Sequence, residues 1–599
     1  MSKAAAVAAP QAPFTPEQEK ILKSWTTHYP YPIMGLLEAL RQVQEWRRCV
    51  TPEDERHVAN IFKTSLSHVH GVATFFPMFT KKPAGRRRIG LCHGLSCAMA
   101  GADKMAHCLE QTLGVKEGET TPDGEFSFEE MECLGACDYA PALLVGDDLK
   151  GKATPELIAD VAAKKDAPSQ DGFYLGTPKG VPTVLTKNYD NPKLRELETY
   201  RKQGGYKALE KALSMKRADL IEEVKKSNMR GLGGAGFPTG MKWGTVPPED
   251  KVPGPRFVVT NADESEPACY KDRVIMTANP HQMLEGILIA SYAIGAKNSF
   301  IFIRGEYGVQ YKILTKAIAE AEKAGLIGED ILGKGFSCRI QIMRGAGAYI
   351  CGLDTALLET MEGKKAWPRQ PPPFPTVAGL MGQPTVVNNV ETLSMLPPIL
   401  NEGGEAFAKL GVPRTGGTGV YSVSGHVAKP GIYEFPMGSP LSKIVEAAGG
   451  VPGGKKLKAV MPGGASTPPV DATELEMPMD FDGPKKFGTF LGAGGVVVMD
   501  ETVNMAEVAH NTERFLSHES CGQCTPCREG SNWTVRILER LFSGGGVAED
   551  LPNITRMGEN ITGKVICALG DTVGAVARAY LKKFPEDFES YLSGAKKNG

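Results

Sequence analysis

The chain has 599 residues, 42% apolar and 23% charged, with a net charge of -1. That length accommodates several domains, the charge balance makes no case for a nucleic-acid binder, and no window reaches the ~20 uninterrupted apolar residues of a membrane helix. The opening Met-Ser-Lys-Ala-Ala-Ala-Val-Ala-Ala-Pro lacks an apolar core of signal-peptide length. Residues 1–14 therefore read as a disordered start to a cytoplasmic protein that reaches a membrane only peripherally, through partners.

In chain order, residues 15–165 begin helical. Ile33, Leu36, Leu37 and Leu40 recur at helical spacing. Thr51 before Pro52, followed by Glu53 and Asp54, has the make-up of an N-cap and first turn. A strand at 88–92 runs into a cysteine loop, followed by a helix at 101–113, a turn at 121–124, a second cysteine loop and a strand at 142–145. This predicts a helical bundle leading into a small α/β domain. Residues 166–204, rich in Pro, Gly, Lys and Asp, read as a linker. Residues 205–412 read as the main α/β domain, with strands near 257–260 and 300–303. Residues 413–500 alternate short strands with Gly/Pro turns around one helix at 441–448, a β-rich insert. Residues 501–599 return to helical periodicity.

Thirteen cysteines are present, and eight fall in two groups. In a long cytoplasmic chain such spacings point to metal or redox sites rather than disulfides. The first group is Cys92-His-Gly-Leu-Ser-Cys97 and Cys133-Leu-Gly-Ala-Cys137. Structural zinc sites favour tight C-x2-C knuckles; the wider spacings, each in a loop that contains glycine, favour a [2Fe-2S] cluster. The second is Cys521-Gly-Gln-Cys524-Thr-Pro-Cys527. This run wraps three corners of a [4Fe-4S] cluster, and Cys567 is the best candidate for the fourth. Cys49, Cys108, Cys269, Cys338 and Cys351 read as small packing residues.

Gly231, Gly233 and Gly236 satisfy G-x-G-x-x-G, a weak signal alone. The segment before it is helical in pattern, whereas a standard Rossmann loop follows a strand. The loop is thus expected to cradle a phosphate through bare amides in a non-standard way, with Lys242 neutralising charge and Phe237 free to stack. Asn261-Ala-Asp-Glu-Ser-Glu-Pro267, Gly345-Ala-Gly-Ala-Tyr-Ile-Cys-Gly352 and Val387-Asn-Asn-Val-Glu-Thr392 are further polar loops. The first suits hydrogen bonding to a flavin edge or ribose and equally suits an ordinary helix N-cap.

These motifs, with Gly71-Val-Ala-Thr-Phe75 and Glu519-Ser-Cys-Gly-Gln-Cys-Thr-Pro-Cys-Arg-Glu-Gly530, resemble the NADH-oxidising flavoprotein module of respiratory complex I and its relatives in NAD-linked hydrogenases and formate dehydrogenases. The first ~165 residues resemble the thioredoxin-like [2Fe-2S] subunit and the region from ~200 the FMN/[4Fe-4S] subunit, here fused. The resemblance implies an α/β multidomain fold: a helical bundle plus thioredoxin-like [2Fe-2S] domain, an FMN-binding domain of non-standard Rossmann type, a ubiquitin-like β-grasp insert and a C-terminal helical [4Fe-4S] domain. It implies that Gly231, Gly233, Gly234, Lys242, Asn261, Asp263, Glu264, Tyr349, Gly352, Asn388, Asn389 and Thr392 hold FMN, with Ala568 and Leu569 approaching it from the cluster side. Phe237, Glu266 and Phe374 would hold NADH; Cys92, Cys97, Cys133 and Cys137 would ligate [2Fe-2S], and Cys521, Cys524, Cys527 and Cys567 [4Fe-4S].

Four positions depart from the family pattern. Leu232 replaces an Arg, Leu353 and Asp354 replace two Glu, and Pro371 replaces a Lys. Loss of a carboxylate at 353 removes an acceptor and a negative charge near flavin and nucleotide. The expected function is electron transfer from NADH through FMN to the clusters and on to other iron–sulfur subunits of a complex I-like, hydrogenase or formate dehydrogenase assembly, in either direction. Two readings compete: an adaptor that keeps flavin and clusters but no longer uses nicotinamide, and a zinc-stapled scaffold.

Overall fold

A computed structural model describes residues 13–165 and 168–592. The start at 1–12 lies outside the described residues, as do 166–167 of the linker and 593–599. The first described unit is a bundle of helices, Pro16–His28, Leu36–Arg47, Pro52–Phe62 and Leu66–Phe75. Their starts follow from local chemistry. Thr15 and Thr51 form capping boxes with Gln18 and Asp54, and the Ser65 hydroxyl accepts from the His68 amide.

Next comes a four-stranded sheet of β1 (Arg87–Cys92), β2 (Phe126–Met131), β3 (Ala142–Val145) and β4 (Asp148–Lys152), in the order β2-β1-β3-β4. Strands β1 and β2 are parallel and Cys92 lies opposite Met131. Both cysteine loops therefore leave the same edge of the sheet, although about forty residues of sequence separate them.

The central sheet comprises β5 (Phe257–Ala262), β6 (Asn298–Ile303), β7 (Arg339–Arg344) and β8 (Thr385–Asn389), all parallel, in the order β7-β6-β5-β8. A parallel sheet buries both faces. Val258, Ala262, Ile301, Ile303 and Val386 share a core with the helix Pro280–Ile294. The alternate residues Phe257, Val259, Phe300, Phe302 and Val387 share a second core with Leu36, Leu37, Leu40 and Val43 of the N-terminal bundle. The bundle is thus the missing layer of this sheet. Arg41 Nη2 donates to the Gly345 carbonyl at 2.5 Å, Tyr29 Oη to the Ile342 carbonyl at 3.0 Å, and the Arg344 amide to Glu38 at 3.0 Å.

A third sheet contains β9 (Thr418–Gly425), β10 (Gly431–Pro436), β11 (Leu457–Met461), β12 (Val470–Asp471) and β13 (Gly495–Asp500), in the order β10-β9-β13-β11-β12, with only β9 and β13 parallel. The linker is docked on its edge rather than free. The Gly176 amide donates to the Ile432 carbonyl and Ile432 back to Tyr174, while buried Glu434 accepts from the amides of Val184, Leu185 and Thr186. This covers the exposed strand edge of β10. The chain closes with helices Met505–His518, Thr525–Arg540, Asp550–Ile561 and Ala568–Lys583 packed in a ring. Among the described residues no helix is long and apolar enough to cross a membrane.

Phe302→Ala opens the sheet–bundle core and is expected to cost about 3–5 kcal/mol, whereas Leu66→Ala, an exposed position, stays within about 0.5 kcal/mol. Thermal unfolding of the two variants beside the parent measures the difference.

Candidate functional site

The first cysteine set is buried. Cys92, Cys97, Cys133 and Cys137 are all buried, and their thiols act on one another in the order Cys97–Cys92–Cys133–Cys137. That interaction pushes the Cys92 and Cys137 thiols well above the ordinary range and Cys133 well below it. The Gly135 amide points at Cys133 Sγ, 3.4 Å away, the N–H···S geometry that stabilises a reduced cluster. Gly135 has φ +59, and a Cβ there would lie 2.3 Å from the Tyr307 hydroxyl, so glycine is required. The donor set of four thiols fits an iron–sulfur centre.

The second set forms between two helix starts. Cys524 holds the N-cap position of Thr525–Arg540 and Cys567 that of Ala568–Lys583, so both sit at the positive end of a helix. The Ile566 amide donates to Cys524 Sγ at 3.4 Å, which joins the two segments, and the Ser520 hydroxyl lies 3.3 Å from Cys527 Sγ. Burial pushes the Cys527 thiol up to about 11. Leu569 is buried in the core shared with these cysteines, while Ala568 is exposed. All thirteen cysteines are free; of the remaining five, Cys108 is half-buried and the others are buried. Among the described residues no group of three His, Cys, Asp or Glu is gathered to hold a single metal ion.

Between the two sets lies the C-terminal edge of the central sheet. Thr260 pairs with Asn388 and Asn261 with Asn389, at the point where the strand order reverses. Open α/β sheets bind ligands at this switch point. The glycine loop closes over it. Gly231 N donates to the Phe237 carbonyl at 2.9 Å, and Leu232 N to Thr392 Oγ1 at 2.9 Å. A helix, Arg217–Lys226, precedes the loop where a standard Rossmann fold has a strand. Gly234 has φ +112, and a Cβ on Gly233 would sit 3.0 Å from Asn389 Cβ. The loop therefore presents bare backbone, the cradle a phosphate needs.

Several side chains singled out from sequence serve the frame. Asn388 Oδ1 accepts from Trp243 Nε1 at 2.9 Å. Asn389 donates to Asp272 at 2.6 Å and accepts from the Glu391 amide. Asn261 donates to the Gly352 carbonyl at 2.7 Å and accepts from the Asp263 amide. Lys242 Nζ binds Asp354 at 2.9 Å and the Val387 carbonyl at 2.7 Å, so the departure at 354 supplies this lysine with a partner. Leu232 is buried, and Leu353 packs against the core that also holds Tyr349 and Cys567.

The acidic loop is deeply buried. Burial pushes Asp263 up to about 7 and Glu264 up to about 8, and raises Glu266. Glu264 is held by the amides of Asp272 and Arg273 and by the Tyr307 hydroxyl. Glu266 accepts from Tyr349 Oη at 2.6 Å and from the Ser466 amide at 2.7 Å. Phe237 and Phe374 stand 52% and 61% exposed, with exposed Met241 nearby in sequence. Phe237, an exposed aromatic within the glycine loop, suits stacking on a planar ring.

Sequence reasoning gave no role to four residues that organise the site, among them Glu519 of the quoted cysteine motif. Lys271 is buried and binds Glu391, Asp272 and the Leu232 carbonyl. Glu519 accepts from the Tyr349 amide at 2.9 Å and so joins the second cysteine loop to the pocket. Arg304 donates to the carbonyls of Cys133 and Glu264. Arg273 makes a two-bond pair with Asp138, both bonds 2.6 Å. The available signal was charge inside apolar runs, as in Tyr270-Lys-Asp-Arg-Val-Ile.

Comparison with known proteins matches the same regions. Residues 22–165 match a thioredoxin-like [2Fe-2S] ferredoxin model, 224–398 the Nuo51 FMN-binding domain, 420–469 an SLBB domain and 507–591 the NADH-ubiquinone oxidoreductase-F iron-sulfur binding region. The second F subunit of the NADH-quinone oxidoreductase of Rhizobium meliloti is 49% identical over 68% of this chain and 97% of its own length. The corresponding F subunit of Aquifex aeolicus is 46% identical over 68% of this chain and 94% of its own. A chain of an NAD+-reducing [NiFe]-hydrogenase, solved in the air-oxidized state, superposes with a TM-score of 0.80 at 28% identity, covering 93% of each chain.

Glu513, on the helix before the second cysteine loop, is fully buried, and burial pushes its carboxyl up from 4.5 to about 8. An acid with a raised folded pKa keeps its proton in the native state while the unfolded chain loses it. Stability therefore falls as pH rises between those values. Glu513→Gln removes this slope and is expected to reduce the stability lost between about pH 5 and about pH 8.5 by roughly 1–3 kcal/mol, read from thermal unfolding at both pH values.

Proposed function

We propose that this chain, which belongs to the family of NADH-quinone oxidoreductase F subunits, is an NADH:acceptor oxidoreductase. It passes electrons from NADH by way of FMN to iron–sulfur clusters and on to a partner redox protein, and it can run in reverse. The observation that carries this reading is that both cysteine sets are tied by direct hydrogen bonds to one pocket. Arg304 joins Cys133 to Glu264, and Tyr349 joins Glu519, two residues before Cys521, to Glu266.

When bound, FMN exchanges the two-electron equivalent of a hydride for the single electrons that clusters accept. The residues supply position. The backbone of Gly231, Gly233 and Gly234 would cradle the phosphate, with Lys242 as counter-charge. Asn261, Asp263, Glu264, Gly352, Asn388, Asn389 and Thr392 would form the wall of the flavin site, some by fixing its frame rather than by touching ligand. Tyr349 would close it beside the second cysteine loop, where Ala568 and Leu569 approach. Phe237 and Phe374 would stack on the nicotinamide nucleotide and Glu266 would accept from it. Cys92, Cys97, Cys133 and Cys137 would ligate [2Fe-2S], and Cys521, Cys524, Cys527 and Cys567 [4Fe-4S]; both donor sets fit.

The division into 15–165, a linker 166–204, 205–412, 413–500 and 501–599 is proposed on the same basis. The sheet order β10-β9-β13-β11-β12 with a parallel central pair, crossed by the helix Leu441–Ala447, supports reading 413–500 as a ubiquitin-like β-grasp domain. Partners would be iron–sulfur subunits of a complex I-like, hydrogenase or formate dehydrogenase assembly, which would bring the chain to a membrane only peripherally.

The decisive measurement is anaerobic stopped-flow of the reconstituted chain with NADH. Flavin bleaching followed by cluster reduction is expected. A chain with FMN, iron and sulfide that NADH leaves unbleached would instead be the adaptor without nicotinamide use; a chain holding zinc and neither flavin nor sulfide would overturn the reading. Gly233→Ala places a methyl against Asn389 and is expected to weaken FMN binding at least about tenfold, about 1.4 kcal/mol, by flavin fluorescence titration.

A further inference from the structure

We infer that Arg304, a residue of the flavin domain, raises the reduction potential of the [2Fe-2S] centre held by the other half of the chain. The inference rests on the cofactor assignment proposed above and adds a tuning group to it. Arg304 directly follows β6 and is 4% exposed. Its Nη2 donates to the carbonyl of Cys133 at 2.5 Å and its Nη1 to the carbonyl of Glu264 at 2.7 Å. Glu306 takes the Nε edge at 3.2 Å and also meets Nη2 at 3.1 Å, while the guanidinium lies 5.1 Å from the Tyr307 ring centre. One cation is thus bonded to the backbone of a cluster ligand and to the acidic loop of the flavin pocket.

Adding an electron to an iron–sulfur cluster adds negative charge. A cation held nearby out of water stabilises that charge and raises the potential. The other arginine at this interface, Arg273, directs one nitrogen into two 2.6 Å bonds to the Asp138 carboxylate. Arg304 is also paired, with Glu306 through Nε and Nη2, but it is the cation and not the carboxylate that bonds the Cys133 carbonyl, so its positive charge is the nearer of the two to the cluster ligand. Gly135 keeps the arrangement close, because the absent Cβ admits the Tyr307 hydroxyl that donates to Glu264 at 2.9 Å.

The sign of two substitutions tests the assignment in an EPR-monitored redox titration of the full reconstituted chain, with the [4Fe-4S] signal as internal reference. Arg304→Gln removes the cation and is expected to make the [2Fe-2S] centre harder to reduce, with a reduced-to-oxidised ratio at fixed potential about tenfold lower, about 59 mV for one electron. Glu306→Gln removes the countercharge and is expected to move the same signal the opposite way. Arg304→Lys keeps the charge and should stay near the parent. If Arg304→Gln does not fold, the direction of Glu306→Gln decides alone. A [2Fe-2S] potential that moves in the same direction in both Gln variants, or in neither, or that falls in Glu306→Gln, overturns the inference. A parent chain with no [2Fe-2S] signal at all would overturn the proposed function instead.

Discussion

A four-stranded parallel sheet cannot leave either face in water, because both carry apolar side chains. In this chain one face is covered by the helix Pro280–Ile294 and the other by the N-terminal bundle, which meets Phe257, Phe300 and Phe302. The consequences spread from that requirement. The bundle is continuous in sequence with β1–β4, so seating it on the central sheet brings the first cysteine loops beside the pocket edge of β5 and β6. Arg304 and Arg273 then meet Cys133 and Asp138 across the same boundary. Burial of a sheet face and placement of the first cysteine loops are one event.

Around the pocket the chain concentrates charge out of water. Lys271, Asp272 and Glu391 are all buried, Lys271 bonds both carboxylates, and through them the glycine loop, the end of β8 and the β9 strand are held together. Such groups contribute little net stability, since each loses hydration on burial. What they give is a fixed geometry for a loop of bare backbone that has few side-chain contacts of its own. Lys271 keeps its charge because Asp272 and Glu391 outweigh the burial that acts against it.

The two cysteine sets solve the same problem by different local means. The first uses the ends of two parallel strands, which are neighbours by hydrogen bonding. The second uses two helix starts, whose dipoles favour the negative charge of a sulfur cage. In each, a backbone N–H at 3.4 Å from sulfur comes from a loop that glycine or a helix cap has turned inward.

The residues themselves determined which atoms can do chemistry here. The spacing of Cys521, Cys524 and Cys527 on one short loop, the capping of a helix by Thr51, and the short apolar runs that become the strands 257–262 and 298–303 are all local, and local patterns survive in sequence. The glycine run announced a backbone cradle because only glycine takes φ +112 freely. Tertiary structure alone decided the rest. Asn388 and Asn389 turned out to brace the frame, and the linker was pinned by Glu434. Lys242 found Asp354, and Arg304, with no motif of its own, became the link between two sites. Each of these depends on which partner comes close across more than a hundred residues, and a side chain's charge or amide carries no record of that partner until packing supplies it.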